Sequence, residues 1–183
     1  MSALLVISFR DQYRACEVFN ELRRREWDWV NDLDHAVMVR VDESSRMRIL
    51  FSVDPASNRG PAWARAWGSF LRLVVPHLAA DGLVAAAEEM VNEPPCNARN
   101  LQADIVWWRE KIQLPEQFVR DVGALISPGN SSLLVLLRTS ELAPVLNRLR
   151  DYSSTILHVQ LSKYQDEQLN ALLTQRPHQK VTG

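Results

Sequence analysis

Four histidines, two cysteines and a serine pair behind a glycine are the side chains of this chain whose types could do chemistry. His77 and Asp81 stand one helical turn apart and could share a metal ion. A structural zinc site wants four ligands, usually with thiolates among them, and no third ligand stands near. Glu88-Glu89 reads as a solvated helix face, so no metal and no other cofactor is expected. Ser131 and Ser132 follow Gly129, yet no Gly-x-Ser-x-Gly elbow encloses them and no base is evident. They are expected to satisfy backbone groups at a turn. Cys16 falls inside a helical stretch rather than at a helix start, where a thiol would ionise more readily. It and the distant Cys96 form no Cys-x-x-Cys and read as reduced thiols of a cytoplasmic protein. The first apolar run leads into Arg10-Asp11-Gln12 rather than a glycine-rich phosphate loop. His158, on a strand, is expected to be partly buried and hydrogen-bonded. A reaction or ligand would need a pocket near His35, His158 and Trp108.

Binding chemistry is concentrated in arginine and tryptophan. Arg23-Arg24-Arg25 beside Trp27 and Trp29 could meet phosphates and stack on bases. Glu21, Glu26, Asp28, Asp32 and Asp34 cancel that charge, and the whole chain carries a net charge of −1. Nucleic acid is therefore not expected. Trp63, Trp67, Trp107 and Trp108 lie in the central third, with Phe70. Core packing accounts for Trp63, Trp67 and Trp108, which fall on apolar helical stripes. An interface is the second reading of Trp63, Trp67, Phe70, Trp107 and Trp108, because indoles are enriched in subunit contacts and at membrane surfaces. Trp107 discriminates, since adjacent residues on an α-helix cannot share one narrow stripe.

The elements that must position these residues are written twice. Leu4-Leu5-Val6-Ile7-Ser8-Phe9 leads into a helix with Ala15, Val18, Phe19 and Leu22 on one face, then into Val37-Met38-Val39-Arg40-Val41. Leu133-Leu134-Val135-Leu136-Leu137 leads into a helix carrying Leu142, Val145, Leu146 and Leu149, then into Thr155–Leu161. The first and fourth strands are continuously apolar and should be central. Asp11 is placed to cap the first helix. Asp42-Glu43-Ser44-Ser45 predicts a hairpin into alternating Met47, Ile49, Phe51 and Val53, with one polar face and helices on one side only. Ser162 and Gln165 form a capping box for a last helix with Leu169, Leu172 and Leu173.

Between these units the pattern is helical. Trp63, Ala66, Trp67, Phe70, Leu71 and Val74 repeat with helical spacing until Pro76, and an Ala-rich helix is expected from about Leu78 to Val91. Leu101, Ile105, Trp108 and Ile112 make a third stripe, and Pro115 opens a fourth helix. Pro128-Gly129 suits a type II turn. The fold class is therefore α+β: a ferredoxin-like split βαβ sheet of about five strands, a large all-helical insertion and a C-terminal helix. As one composite domain it divides into a first βαββ half at 1–54, the insertion at 55–127, a second βαβ half with the terminal helix at 128–176, and a disordered tail at 177–183. At 183 residues with 46% hydrophobic content, the chain can bury a core without disulfides or metals. No signal peptide is expected after Met1, and the apolar stretch Ala62–Val91 is interrupted by Arg65, Arg72, Asp81 and Glu88, so no transmembrane span is expected either.

Ser127-Pro128-Gly129-Asn130-Ser131-Ser132-Leu133 and Leu161-Ser162-Lys163-Tyr164-Gln165 resemble a bacterial family of unknown function whose members are often labelled predicted membrane proteins. The resemblance covers the two ends, about half of the chain. It implies a Gly-rich apolar middle that is largely lost here, where Gly60, Gly68, Gly82 and Gly123 remain. It implies no catalytic residues. The expected function is a non-enzymatic assembly or interaction module, its insertion mediating self-association or docking on a partner or membrane surface. The expected state is a cytoplasmic homo-oligomer, with peripheral contact to the inner membrane as a further option. The rival is a small-molecule-binding or enzymatic domain with a pocket between sheet and insertion.

Overall fold

The chain, in a computed structural model, is described over residues 2–25, 36–51, 60–76, 98–138, 142–152 and 154–174. The elements run β1 (Ala3–Phe9), α1 (Arg14–Arg23), β2 (Val37–Val41), β3 (Met47–Phe51) and α2 (Gly60–Val74). They continue with α3 (Ala98–Trp107), a π turn (Trp108–Ile112), α4 (Glu116–Leu125), β4 (Ser131–Leu137), α5 (Leu142–Arg150), β5 (Thr155–Gln160) and α6 (Lys163–Thr174). The expected helix from Leu78 to Val91 lies outside the described residues, as do His35, His77, Asp81, Cys96 and the tail after Thr174.

The strands form one sheet in the order β3-β2-β4-β1-β5, with every neighbouring pair antiparallel. β4 lies between β1 and β2, and β1 lies between β4 and β5. Each strand–helix–strand unit is thus split by a strand of the other, which is the ferredoxin-like interlock. β3 is an additional edge strand. This order explains why β1 and β4 are apolar but for Ser8, Ser131 and Ser132: all seven residues of each are buried, because helices cover both sides of the sheet centre.

On one face Leu5, Ile7, Phe9, Leu133, Val135 and Leu137 meet Val18, Phe19 and Leu22 of α1 and Val145 and Leu149 of α5. On the other, Leu4, Val6, Val39, Leu134 and Leu136 meet Phe70 and Leu71 of α2, Trp108 and Ile112 of the π turn, Val122 of α4 and Leu169 of α6. The described parts of the insertion, α2, the π turn and α4, therefore pack on the chain's own sheet, making three layers. This corrects the expectation that the β2–β3 hairpin is covered on one side only. Met38 on β2 is buried with the α1 layer, while Val37, Val39 and Val41 are buried with the insertion. One-sided cover holds at β3, where Met47 and Ile49 are buried and Arg48 is exposed.

Local chemistry holds the ends of these elements. Asp11 Oδ1 accepts from Tyr13 N–H at 2.7 Å and Arg14 N–H at 3.0 Å, so it caps α1 although the helix begins three residues later. In the hairpin Asp42 Oδ1 accepts from the N–H groups of Ser44 and Arg46, and Ser45 takes a φ of 61°. At the entry to β4 Gly129 has a φ of +80°, and Asn130 N–H donates to Ser127 O at 3.1 Å, closing the Pro-Gly turn. The capping box of α6 is reciprocal: Ser162 N–H donates to Gln165 Oε1 at 2.7 Å, and Gln165 N–H to Ser162 Oγ at 3.2 Å. Gln165 Nε2–H also donates to Ile112 O, tying α6 to the π turn.

Candidate functional site

The aromatic group of the insertion lies beneath the sheet. Trp67 is 3% exposed, Phe70 0% and Trp108 2%. Their rings contact in sequence, Trp67 edge-on to Phe70 at 5.8 Å and Phe70 to Trp108 at 5.3 Å, which suits the quadrupoles of aromatic pairs. The indole N–H of Trp108 donates to Ser69 Oγ at 2.9 Å, and the Ser69 hydroxyl donates to Ala66 O at 2.9 Å. A buried indole thereby keeps its one donor satisfied without reaching solvent. These three side chains are part of the core. Trp107 is half-buried at the margin of the same cluster, edge-on to Trp108 at 5.4 Å. The π turn that begins at Trp108 widens the spacing there and ends at Gln113, whose N–H bonds back to Trp108 O. The indole of Trp63 lies outside the described residues.

An ion pair crosses from α2 to α3. Arg65 presents Nε and a terminal nitrogen to the two carboxylate oxygens of Asp104 at 2.5 and 2.7 Å, a two-pronged geometry. Asp104 is 5% exposed, so this arginine compensates a nearly buried carboxylate. The sequence placed Arg65 off the apolar stripe. Its partner on a separate helix carried no sequence signal, and neither did the hydroxyl of Ser69.

Among the described residues the sheet and the insertion pack closely around Trp67 and Trp108. A gap of about 10 Å³ lies among Leu4, Ala66, Trp67, Trp108, Leu136 and Leu169. That is at most room for one water, and its lining offers no polar group to hold one. His158 does not approach it. Leu157 and Val159 of β5 pack on the insertion side and Ile156 on the α1–α5 side. Alternation along the strand puts His158 with Ile156, across the sheet from Trp108. His158 is exposed, which corrects its expected burial.

Of the expected turn hydroxyls, Ser131 makes backbone bonds and Ser132 does not. Ser131 Oγ accepts from Ala15 N–H at 3.0 Å and donates to Asp11 O at 2.5 Å, so it fastens the start of α1 to β4. Ser132 is 1% exposed and its hydroxyl has no hydrogen-bond partner among the described residues. Cys16 is a half-buried free thiol; burial pushes its pKa up, against a smaller opposing effect of Arg40. Such a thiol is a poor nucleophile. Arg40 lies over the Tyr13 ring at 5.3 Å. Among the described residues no group of three His, Cys, Asp or Glu is placed to hold a metal ion, and no helix is long and apolar enough to cross a membrane.

Fold and site together define an α+β, ferredoxin-like domain whose second sheet face packs against α2, the π turn, α4 and α6. A family model described as "Protein of unknown function (DUF1269)" matches residues 108–174, from the π turn through α6. The similarity thus covers the second strand–helix–strand unit and its flanking helices, in accord with a resemblance to an uncharacterised family. No curated protein and no solved structure matches the chain.

Proposed function

We propose that this protein is a non-enzymatic assembly module that works on the cytoplasmic side and associates with copies of itself. The observation that supports the reading is the close packing around Trp67 and Trp108 among the described residues, where a gap of about 10 Å³ lined by apolar side chains offers neither the room nor the convergent polar groups of the rival pocket. The Cys16 pKa, raised by burial, and the exposed position of His158 add to it. Trp67, Phe70 and Trp108 lie in the chain's own core, so self-association uses other surfaces. Peripheral contact with the inner membrane is the second mode of docking, and the same experiment reports on it.

The test is light-scattering mass after size exclusion, with fractionation of cells into soluble and membrane pools. A defined oligomer supports the module. A pool released from membranes by salt or detergent moves the docking to the membrane. A monomer confined to the soluble pool refutes the proposal and returns attention to ligand binding.

A further inference from the structure

β5 ends the sheet on one side, and its neighbour among the described residues is β1. Leu161 N–H donates to Ser2 O at 2.8 Å, and the register that sets Ala3 opposite Gln160 sets Ser2 opposite Leu161. In an antiparallel ladder such hydrogen-bonded pairs recur at every second residue. Thr155, Leu157 and Val159 therefore turn their N–H and C=O groups toward β1, and Ile156, His158 and Gln160 turn theirs outward.

Natural sheets guard open edges with charge, proline or bulges. The other edge is guarded: β3 carries exposed Arg48, with exposed Arg46 just before it, and its apolar Met47 and Ile49 are buried. β5 reads Thr-Ile-Leu-His-Val-Gln, without Lys, Arg, Asp, Glu or Pro. Its apolar residues are only half-covered on both faces, Leu157 and Val159 beside the insertion and Ile156 beside α5. Among the described residues both helical layers thus leave apolar surface of β5 partly exposed.

We propose that β5 pairs antiparallel with β5 of a second copy across a two-fold axis, fusing two five-stranded sheets into one. The occupant is a second copy because the edge is complementary to itself. With the axis at Leu157, the outward groups of Ile156 meet those of the partner's His158, and Leu157 packs on the partner's Leu157. No Lys, Arg, Asp or Glu meets its own copy on this strand, whereas Arg48 would crowd another arginine-bearing edge at β3. This proposal deepens the assembly reading and rests on it.

The test uses the full chain, by light-scattering mass and by site-resolved amide exchange over a range of concentrations. His158→Pro is the decisive variant, because the His158 N–H points away from β1 and its loss leaves the inner ladder whole. The wild type should run at twice 20.9 kDa and His158→Pro at 20.9 kDa with an unchanged far-UV spectrum, while Arg48→Glu stays dimeric. Exchange at Ile156 and His158 should slow as wild-type concentration rises. A monomeric, soluble wild type overturns this proposal and the assembly reading together. A dimer whose Ile156 and His158 amides exchange equally fast at every concentration overturns the edge pairing and leaves the assembly reading standing. Should His158→Pro fail to fold, the wild-type exchange decides.

Discussion

Replacing Gly123 by alanine and Gly68 by alanine should move stability in opposite directions, although both glycines lie within helices. A Cβ built on Gly123 of α4 would stand 2.5 Å from the carbonyl oxygen of Val74, at the end of α2. Backbone cannot rotate away as a side chain does, so α4 or the last turn of α2 must retreat by most of an ångström to restore ordinary contact. Overpacking of this kind costs about 1–3 kcal/mol, against which alanine returns about 1 kcal/mol of helix propensity. The net expectation for Gly123→Ala is a loss of up to about 2 kcal/mol. At Gly68 of α2 nothing lies within 4 Å of the added atom, so the propensity gain of about 0.5–1 kcal/mol is uncompensated. For a chain of this size each kcal/mol moves Tm by about 2–4 °C. Urea titration followed by far-UV circular dichroism gives both values. Refutation would be Gly123→Ala matching or exceeding the stability of Gly68→Ala, since the close approach of α4 to α2 would then not require glycine.

Three further outcomes follow from individual contacts. Arg65→Met should destabilise by about 1–3 kcal/mol by leaving the Asp104 carboxylate buried without its arginine. The double variant Arg65→Met with Asp104→Leu should then lose less than the two single losses summed, which a urea double-mutant cycle measures. Ser131→Ala should cost about 1–2 kcal/mol and raise amide exchange at Ala15, because it removes both bonds that pin the start of α1 to β4. Burial raises the Cys16 pKa above an ordinary 9.0, so the unfolded chain loses that proton first. Stability should accordingly be full below about pH 9 and fall as pH rises beyond it, and Cys16→Ala should flatten that fall. A pH series of urea midpoints shows whether the slope is lost.

The sequence by itself determined the elements and their faces. Continuous apolarity in β1 and β4 marked the central strands, because only strands faced by helices on both sides can do without polar positions. Val37 and Val39 against Met38 announced the two faces of β2, and Ser162 with Gln165 announced the start of α6, since such patterns depend only on local geometry. The core role of Trp67 and Trp108 was readable as helical spacing, but the competing interface reading had the same spacing. What only the tertiary structure decided was where each finished face points. Sheet order put His158 and Trp108 on opposite sides, and it left the uncharged β5, rather than the arginine-bearing β3, with apolar surface on both faces half-covered. Asp104 found Arg65 and Gly123 met Val74 across helices separated by long stretches of chain. Such pairings depend on how layers stack, and periodicity along a chain carries a residue's own face but not the identity of the face opposite it.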